Sequence, residues 1–144
     1  MKTVYEILKG KGKEIWSVRP NDSIFDALAL MDEKNIGAVL VRESGKLVGI
    51  FSERDYARKV VLKGKSSKET PVKEAMTNRI ACVKIDQKID ECMALMTDKH
   101  IRHLPVVDND QLCGIISIGD VVLAKISEQE FIIEQLENYI TGVY

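Results

Sequence analysis

The spacing of apolar residues changes along this chain in a fixed order, and that order occurs twice. Ile15-Trp16-Ser17-Val18 is a short β-prone run closed by Pro20, and Asn21, Asp22 or Ser23 can cap a helix behind it. Ile24, Ala27, Leu28 and Met31 then recur at helical spacing and give one apolar face. Ala38-Val39-Leu40-Val41 and Leu47-Val48-Gly49-Ile50-Phe51 read as strands joined by Glu43-Ser44-Gly45-Lys46, whose glycine suits a hairpin turn. Ser52 can cap a further helix running to about Leu62, so the unit is strand, helix, strand, strand, helix.

Residues 15–56 realign on residues 80–121 at a constant offset of 65 without a gap, and 14 of the 42 pairs are identical. The second copy predicts a strand over 80–83, a helix over 88–99, strands over 103–107 and 112–116, and a helix from Ser117. A repeat this regular is one supersecondary unit copied and packed against itself. The predicted class is α/β (α+β): two β-α-β-β-α repeats packed by pseudo-twofold symmetry, with extra N- and C-terminal helices. The expected organisation is an N-terminal helix over 1–11, repeat 1 over 12–64, a linker with a short helix over 65–76, repeat 2 over 77–126, and a C-terminal helical extension over 127–144. The glycine, serine and lysine run from Lys63 to Lys68 ahead of Pro71 marks the linker. Val4, Tyr5, Ile7 and Leu8 in the first helix, and Phe131, Ile132, Leu136, Tyr139 and Ile140 in the last, need cover for their apolar faces. A symmetric homodimer supplies it, and folding back on the module is the alternative.

Composition removes several function classes. Lys plus Arg (21) against Asp plus Glu (22) leaves a formal charge of −1, so no bulk field recruits nucleic acid or an anionic membrane. The lysine linker has no interleaved aromatic residues and does not resemble a single-strand platform. The apolar runs are far shorter than a spanning helix needs, and Met1 to Glu6 lacks a signal-peptide core; with three cysteines and no Cys-x-x-Cys pair, a soluble, cytoplasmic protein is expected.

Most shared positions are apolar and a common core explains them; Ser52/Ser117 and Asp55/Asp120 are not. Each serine stands where a helix begins, and each aspartate follows three residues later. A capping box accounts for the pair without a ligand. Alternatively the carboxylate accepts hydrogen bonds from a vicinal diol such as ribose, while serine and backbone N–H groups hold sugar or phosphate. Residue types alone leave both readings open. Neither serine stands in a nucleophile elbow, and His100 and His103 lack a third ligand at fixed spacing, so no catalytic or metal role is expected.

Gly49-Ile50-Phe51-Ser52-Glu53-Arg54-Asp55 and Gly114-Ile115-Ile116-Ser117-Ile118-Gly119-Asp120 share a pattern: glycine, two apolar residues, serine, two variable residues, aspartate. With the helices Asp26-Ala27-Leu28-x-x-Met31 and Glu91-Cys92-Met93-x-x-Met96, and the strand starts at Ile36 and Ile101, the chain resembles a tandem pair of cystathionine β-synthase (CBS) domains, a Bateman module, over residues 12–126. The resemblance implies two clefts that bind adenine nucleotides (AMP, ADP, ATP or NAD(H)) as regulatory ligands, no catalysis, a flat homodimer, and an unidentified regulated protein. It further implies that each cleft mixes the copies. One would combine Ile50, Ser52, Arg54 and Asp55 with Val83, Lys84, Ile101, Arg102 and His103; the other would combine Ile115, Ser117, Gly119 and Asp120 with Val18, Arg19, Ile36, Gly37 and Ala38. Arg54, Lys84, Arg102 and His103 make the first the expected phosphate site, since guanidinium matches phosphate oxygens bidentately. The second is expected to be poorer in positive charge, with Arg19 its chief cation. The competing expectation is a ligand-free structural interaction module whose Ser/Asp pairs are caps.

Overall fold

A computed structural model describes residues 2–12 and 14–142; Met1, Lys13, Val143 and Tyr144, which the predicted segments include, lie outside the described residues. The chain divides into two compact units, one running from Glu14 to Ile80 and the other joining the N-terminal segment to everything from Ala81 onward. The class is mixed α/β, with a three-stranded sheet in each unit.

In the first unit, β1 (Ser17–Val18) pairs in parallel with β2 (Ala38–Glu43), and β2 pairs antiparallel with β3 (Lys46–Ser52). The β2–β3 turn uses Ser44 and Gly45 at positive φ (51° and 79°), the handedness that keeps tightly joined strands in twist. Helix α2 (Ile24–Lys34) starts at Ser23, whose Oγ accepts the Asp26 N–H, and stops at Asn35 in the left-handed conformation. Its inner residues Ile24, Ala27 and Met31 close on Val39, Val41 and Phe51 in one buried cluster. After Ser52 the chain makes one turn of α-helix, α3 (Glu53–Asp55), and widens into a π-helical stretch over Tyr56–Val61. A 3-10 turn, Val72–Glu74, follows the linker.

The second unit repeats the plan with β4 (Val83–Lys84), α4 (Ile89–Lys99), β5 (His103–Asp108) and β6 (Gln111–Ser117), in sheet order β4-β5-β6. Asn109 and Asp110 take the positive-φ turn, and His100 takes the left-handed helix end of Asn35. Cys92 is fully buried behind this sheet, where burial and the neighbouring Glu91 push its thiol up to about 11, so it serves as a small apolar residue. Helix α5 (Ile118–Thr141) is continuous for 24 residues, unlike its counterpart after Ser52.

Each sheet is covered by the segment that leads into the other copy. Helix α1 (Val4–Lys11) precedes the first copy, yet Val4, Ile7 and Leu8 are buried in the core of the second. The 3-10 turn precedes the second copy, yet Val72 and Ala75 are buried in the core of the first. For the N-terminal helix the cover is therefore the alternative, folding back on the module, rather than a homodimer, and of its apolar residues only Tyr5 stays half exposed. The motif glycines make the exchange possible. A Cβ on Gly49 would lie 2.5 Å from Met76 Sδ and 3.2 Å from the Thr77 carbonyl, and one on Gly114 would lie 2.8 Å from a Leu8 methyl. The far half of α5 is different: Phe131, Ile133, Leu136, Tyr139 and Ile140 are each more than half exposed. No helix among the described residues is long and apolar enough to cross a membrane.

Candidate functional site

The two Ser–Asp pairs are complete capping boxes at the ends of β3 and β6. Ser52 Oγ accepts the Asp55 N–H at 3.2 Å, and Asp55 Oδ2 accepts the Ser52 N–H at 3.0 Å and its hydroxyl at 3.1 Å. The other carboxylate oxygen, Oδ1, accepts from Thr77 Oγ1 at 3.1 Å and pairs with Lys59 Nζ at 3.0 Å. Asp55 is 9% exposed, so an anion is held at the sheet corner with four donors about it.

At the second corner Ser117 Oγ accepts the Asp120 N–H at 3.2 Å, and Asp120 Oδ2 accepts the Ser117 N–H at 2.8 Å. The cation here is Lys11, at the end of α1, which hydrogen-bonds both Asp120 Oδ2 and the Ile115 carbonyl. Partial burial works to raise the Asp120 pKa, but Lys11 and the Ser117 N–H outweigh it and hold the carboxyl below its ordinary value. The expectation that this corner is poor in positive charge is thereby corrected. Lys11 reaches Asp120 across 109 residues because α1 packs on the second copy, and Arg102 and His103 of the same copy lie beside it.

Strand pairing places the other predicted residues. Ala38 is the ladder partner of Ser52, and the Gly37 carbonyl accepts the Glu53 N–H at 3.1 Å; His103 faces Ser117, and the Arg102 carbonyl accepts the Ile118 N–H at 2.8 Å. Ile36 and Ile101 close the preceding helices through bonds to Met31 and Met96. Each corner thus gathers its own copy's strand start, serine and aspartate. His103 loses basicity through burial and through Lys11 and Arg102, with Asp120 opposing, so the imidazole beside Ser117 is held toward its neutral form. Arg54 and Gly119 occupy the first helical turns after the serines, and Ile50 exchanges two backbone bonds with Thr77. Val18 pairs with Val41 and Val83 with Val106, so Arg19 and Lys84 continue toward the hairpin end, away from the strand start and serine of their own copies.

Lys11, Lys59 and Thr77 escaped the reading of the sequence. Lys59 stands four residues after Asp55, a helical ion-pair spacing that was available. Lys11 and Thr77 carried no signal of their own, since the segments that hold them align by structural role and share no identities. Chemically, each corner presents a fixed carboxylate, a lysine, and main-chain N–H groups at a helix start. That set accepts hydrogen bonds from hydroxyls and balances an anionic group beside them.

Comparison with known proteins agrees with this plan. The model of the CBS domain matches residues 6–62 and 72–127. A CBS domain-containing mitochondrial protein of Arabidopsis thaliana, CBSX3, is 39% identical over 152 residues, covering 99% of this chain and 73% of that protein. A solved CBS-domain protein from Burkholderia ambifaria is 51% identical, with a TM-score of 0.86, over 89% of this chain and 96% of its own. The CBS domain pair of protein MJ0100, solved with 5′-methylthioadenosine and S-adenosyl-L-methionine, is 25% identical with a TM-score of 0.77, over 89% of this chain and 98% of its own. Two successive matches, each containing one Ser–Asp corner, show that the chain belongs to the CBS domain family and carries that domain as a tandem pair.

Proposed function

We propose that the chain is a non-enzymatic regulatory module that binds an adenine nucleotide (AMP, ADP, ATP or NAD(H)) at its Ser–Asp corners and relays occupancy to a partner protein. The observation that carries this reading is the duplicated corner itself: in both copies a capped aspartate is already paired with a lysine. Ribose hydroxyls take up the carboxylate, and the lysine is then available to a phosphate. The adenosine-containing ligands of the MJ0100 domain pair support the choice of ligand class. Ile36, Gly37 and Ala38 in the first copy, and Ile101, Arg102 and His103 in the second, stand beside the serines and supply backbone groups and, in the second, charge. The exposed apolar residues of α5 suit self-association, and a homodimer in the cytoplasm is the form we expect to act.

Isothermal titration with AMP, ADP, ATP and NAD(H), run on the wild type and on Asp55→Asn and Asp120→Asn, tests the proposal. Saturable binding that weakens at least about tenfold when either carboxylate becomes an amide is the expected result. Silence from every nucleotide would favour the competing reading, a structural interaction module, which the two complete capping boxes also satisfy. Nucleotide turnover would overturn the non-enzymatic assignment.

A further inference from the structure

The hairpin end of the first unit's sheet, opposite Ser52, holds a cavity of about 900 Å³ lined by Ser17, Arg19, Asn21, Asp22, Arg42 and Ser44 among others. Two features make it more than a surface dip. Arg42 Nε is shut off from solvent and has no hydrogen-bond acceptor among the described residues. A buried donor left unmet is a cost that native proteins rarely carry without an ion or water to meet it. Arg19 follows Val18, the last residue of β1, whose ladder partner Val41 precedes Arg42, and both arginines line this one cavity. Neither forms an ion pair among the described residues.

The internal repeat shows that the fold does not require this arrangement. At the offset of 65, Arg42 corresponds to Val107, which occupies the same ladder position beside the same register shift without a charge. A guanidinium therefore replaces an aliphatic side chain in one copy only. Asp22 is engaged by the Arg19 N–H at 2.8 Å, and Glu43 lies at the turn facing Lys46. The rim thus offers guanidinium forks for an oxyanion and carboxylates and hydroxyls for alcohol groups.

From these observations we propose a second ligand site, distinct from the Ser–Asp corners, in which Arg19 and Arg42 bind the phosphate of a small phosphate ester. Turning the Nε edge of Arg42 onto the phosphate meets the buried donor, and the dianion relieves the repulsion between the arginines. Ser17, Asn21 and Ser44 supply neutral donors to the remaining oxygens. Asp22 and Glu43 accept from hydroxyls of the ester, which favours a phosphorylated polyol over bare phosphate.

Amide chemical-shift mapping with inorganic phosphate and, separately, ribose 5-phosphate tests the site. Both should shift the Arg42, Ser44 and Gly45 amides, with the ester binding more tightly. Arg42→Val, which installs the residue of the other copy, should weaken that response at least about tenfold, the loss expected for charge-assisted bonds. Arg19→Ala, at an exposed side chain, should weaken it as well and decides the matter should Arg42→Val fail to fold. The double variant Asp55→Asn/Asp120→Asn should keep the response, which separates this site from the corners. No shift at the hairpin, an unchanged response in Arg42→Val, or shifts confined to Ser52 and Ser117 would overturn the proposal, the last while leaving the nucleotide reading intact. Equal affinity for the two probes would overturn the ester and leave an inorganic phosphate site.

Discussion

The two Ser–Asp corners have the same cap and reach the same charge balance by different routes. At Asp55 the lysine comes from the following turn of the same helix, at i,i+4, with Thr77 as a second donor on the same oxygen. At Asp120 it comes from α1, the far end of the chain in sequence. The repeated motif specifies the carboxylate and its cap but not its counter-ion, which is supplied by whichever element the packing brings near. The Asp55 corner draws its cation from its own helix and takes only the Thr77 hydroxyl from beyond it. The Asp120 corner depends on α1 staying docked, so any change that loosens α1 alters the charge at that corner as well as the core beneath it.

Perturbing the dock should produce the largest effect. Leu8 is 1% exposed against Gly114, and Leu8→Ala should cost about 2–4 kcal/mol in chemical denaturation. Hydrogen exchange should rise in the second unit and stay level in the first; a uniform rise would end the distinction drawn between the corners. Next come the carboxylates. Asp55→Ala strands several donors at a nearly closed position and should cost about 1–3 kcal/mol, while Asp120→Ala, with a more open side chain, should cost about 1 kcal/mol. Thermal melts that reverse this order would show that the local corner is not the more tightly held one.

Acidification sharpens the comparison further. The folded Asp120 carboxyl is held below its ordinary value, so its contribution is present above the unfolded pKa, about 3.9, and fades as pH falls through the folded one. His103 is also depressed, so stability already declines as pH falls through about 6.5, where the unfolded chain takes up the proton first. Lys11→Met should raise both pKa values, followed by NMR titration of His103 and of the Asp120 carboxyl. An unmoved His103 would show that Lys11 does not act on it. The smallest effect belongs to the lysines as ion pairs: Lys59→Met and Lys11→Met should each change stability by no more than about 1 kcal/mol, because both side chains are about a third or more exposed.

Much of the fold was legible because its signals are local. Ser23, one of three candidate caps, starts α2, Ser52 and Ser117 cap where predicted, Gly45 makes its turn, and the apolar run Ala38-Val39-Leu40-Val41 is a buried strand. The cap half of the Ser–Asp pair was legible too, since it spans three residues. What stayed hidden is what packing over long separations decides. Ile7 and Val72 stand at the repeat offset and play one role, but they are different residues, so a search for identities stops short of the leading segments. That Arg19 and Arg42 line one cavity follows from the register of a two-residue strand, which no periodicity can fix over so short a run.

The crossed cover of the two sheets governs how this protein can be divided. A cut at the obvious seam, Lys63 to Ser67, would yield an N-terminal fragment keeping a clasp meant for its absent sibling and lacking its own. The piece with a complete interior runs from Glu14 to Ile80, past that seam. Cloning boundaries, chimeras and half-module fragments should follow the clasps rather than the repeats.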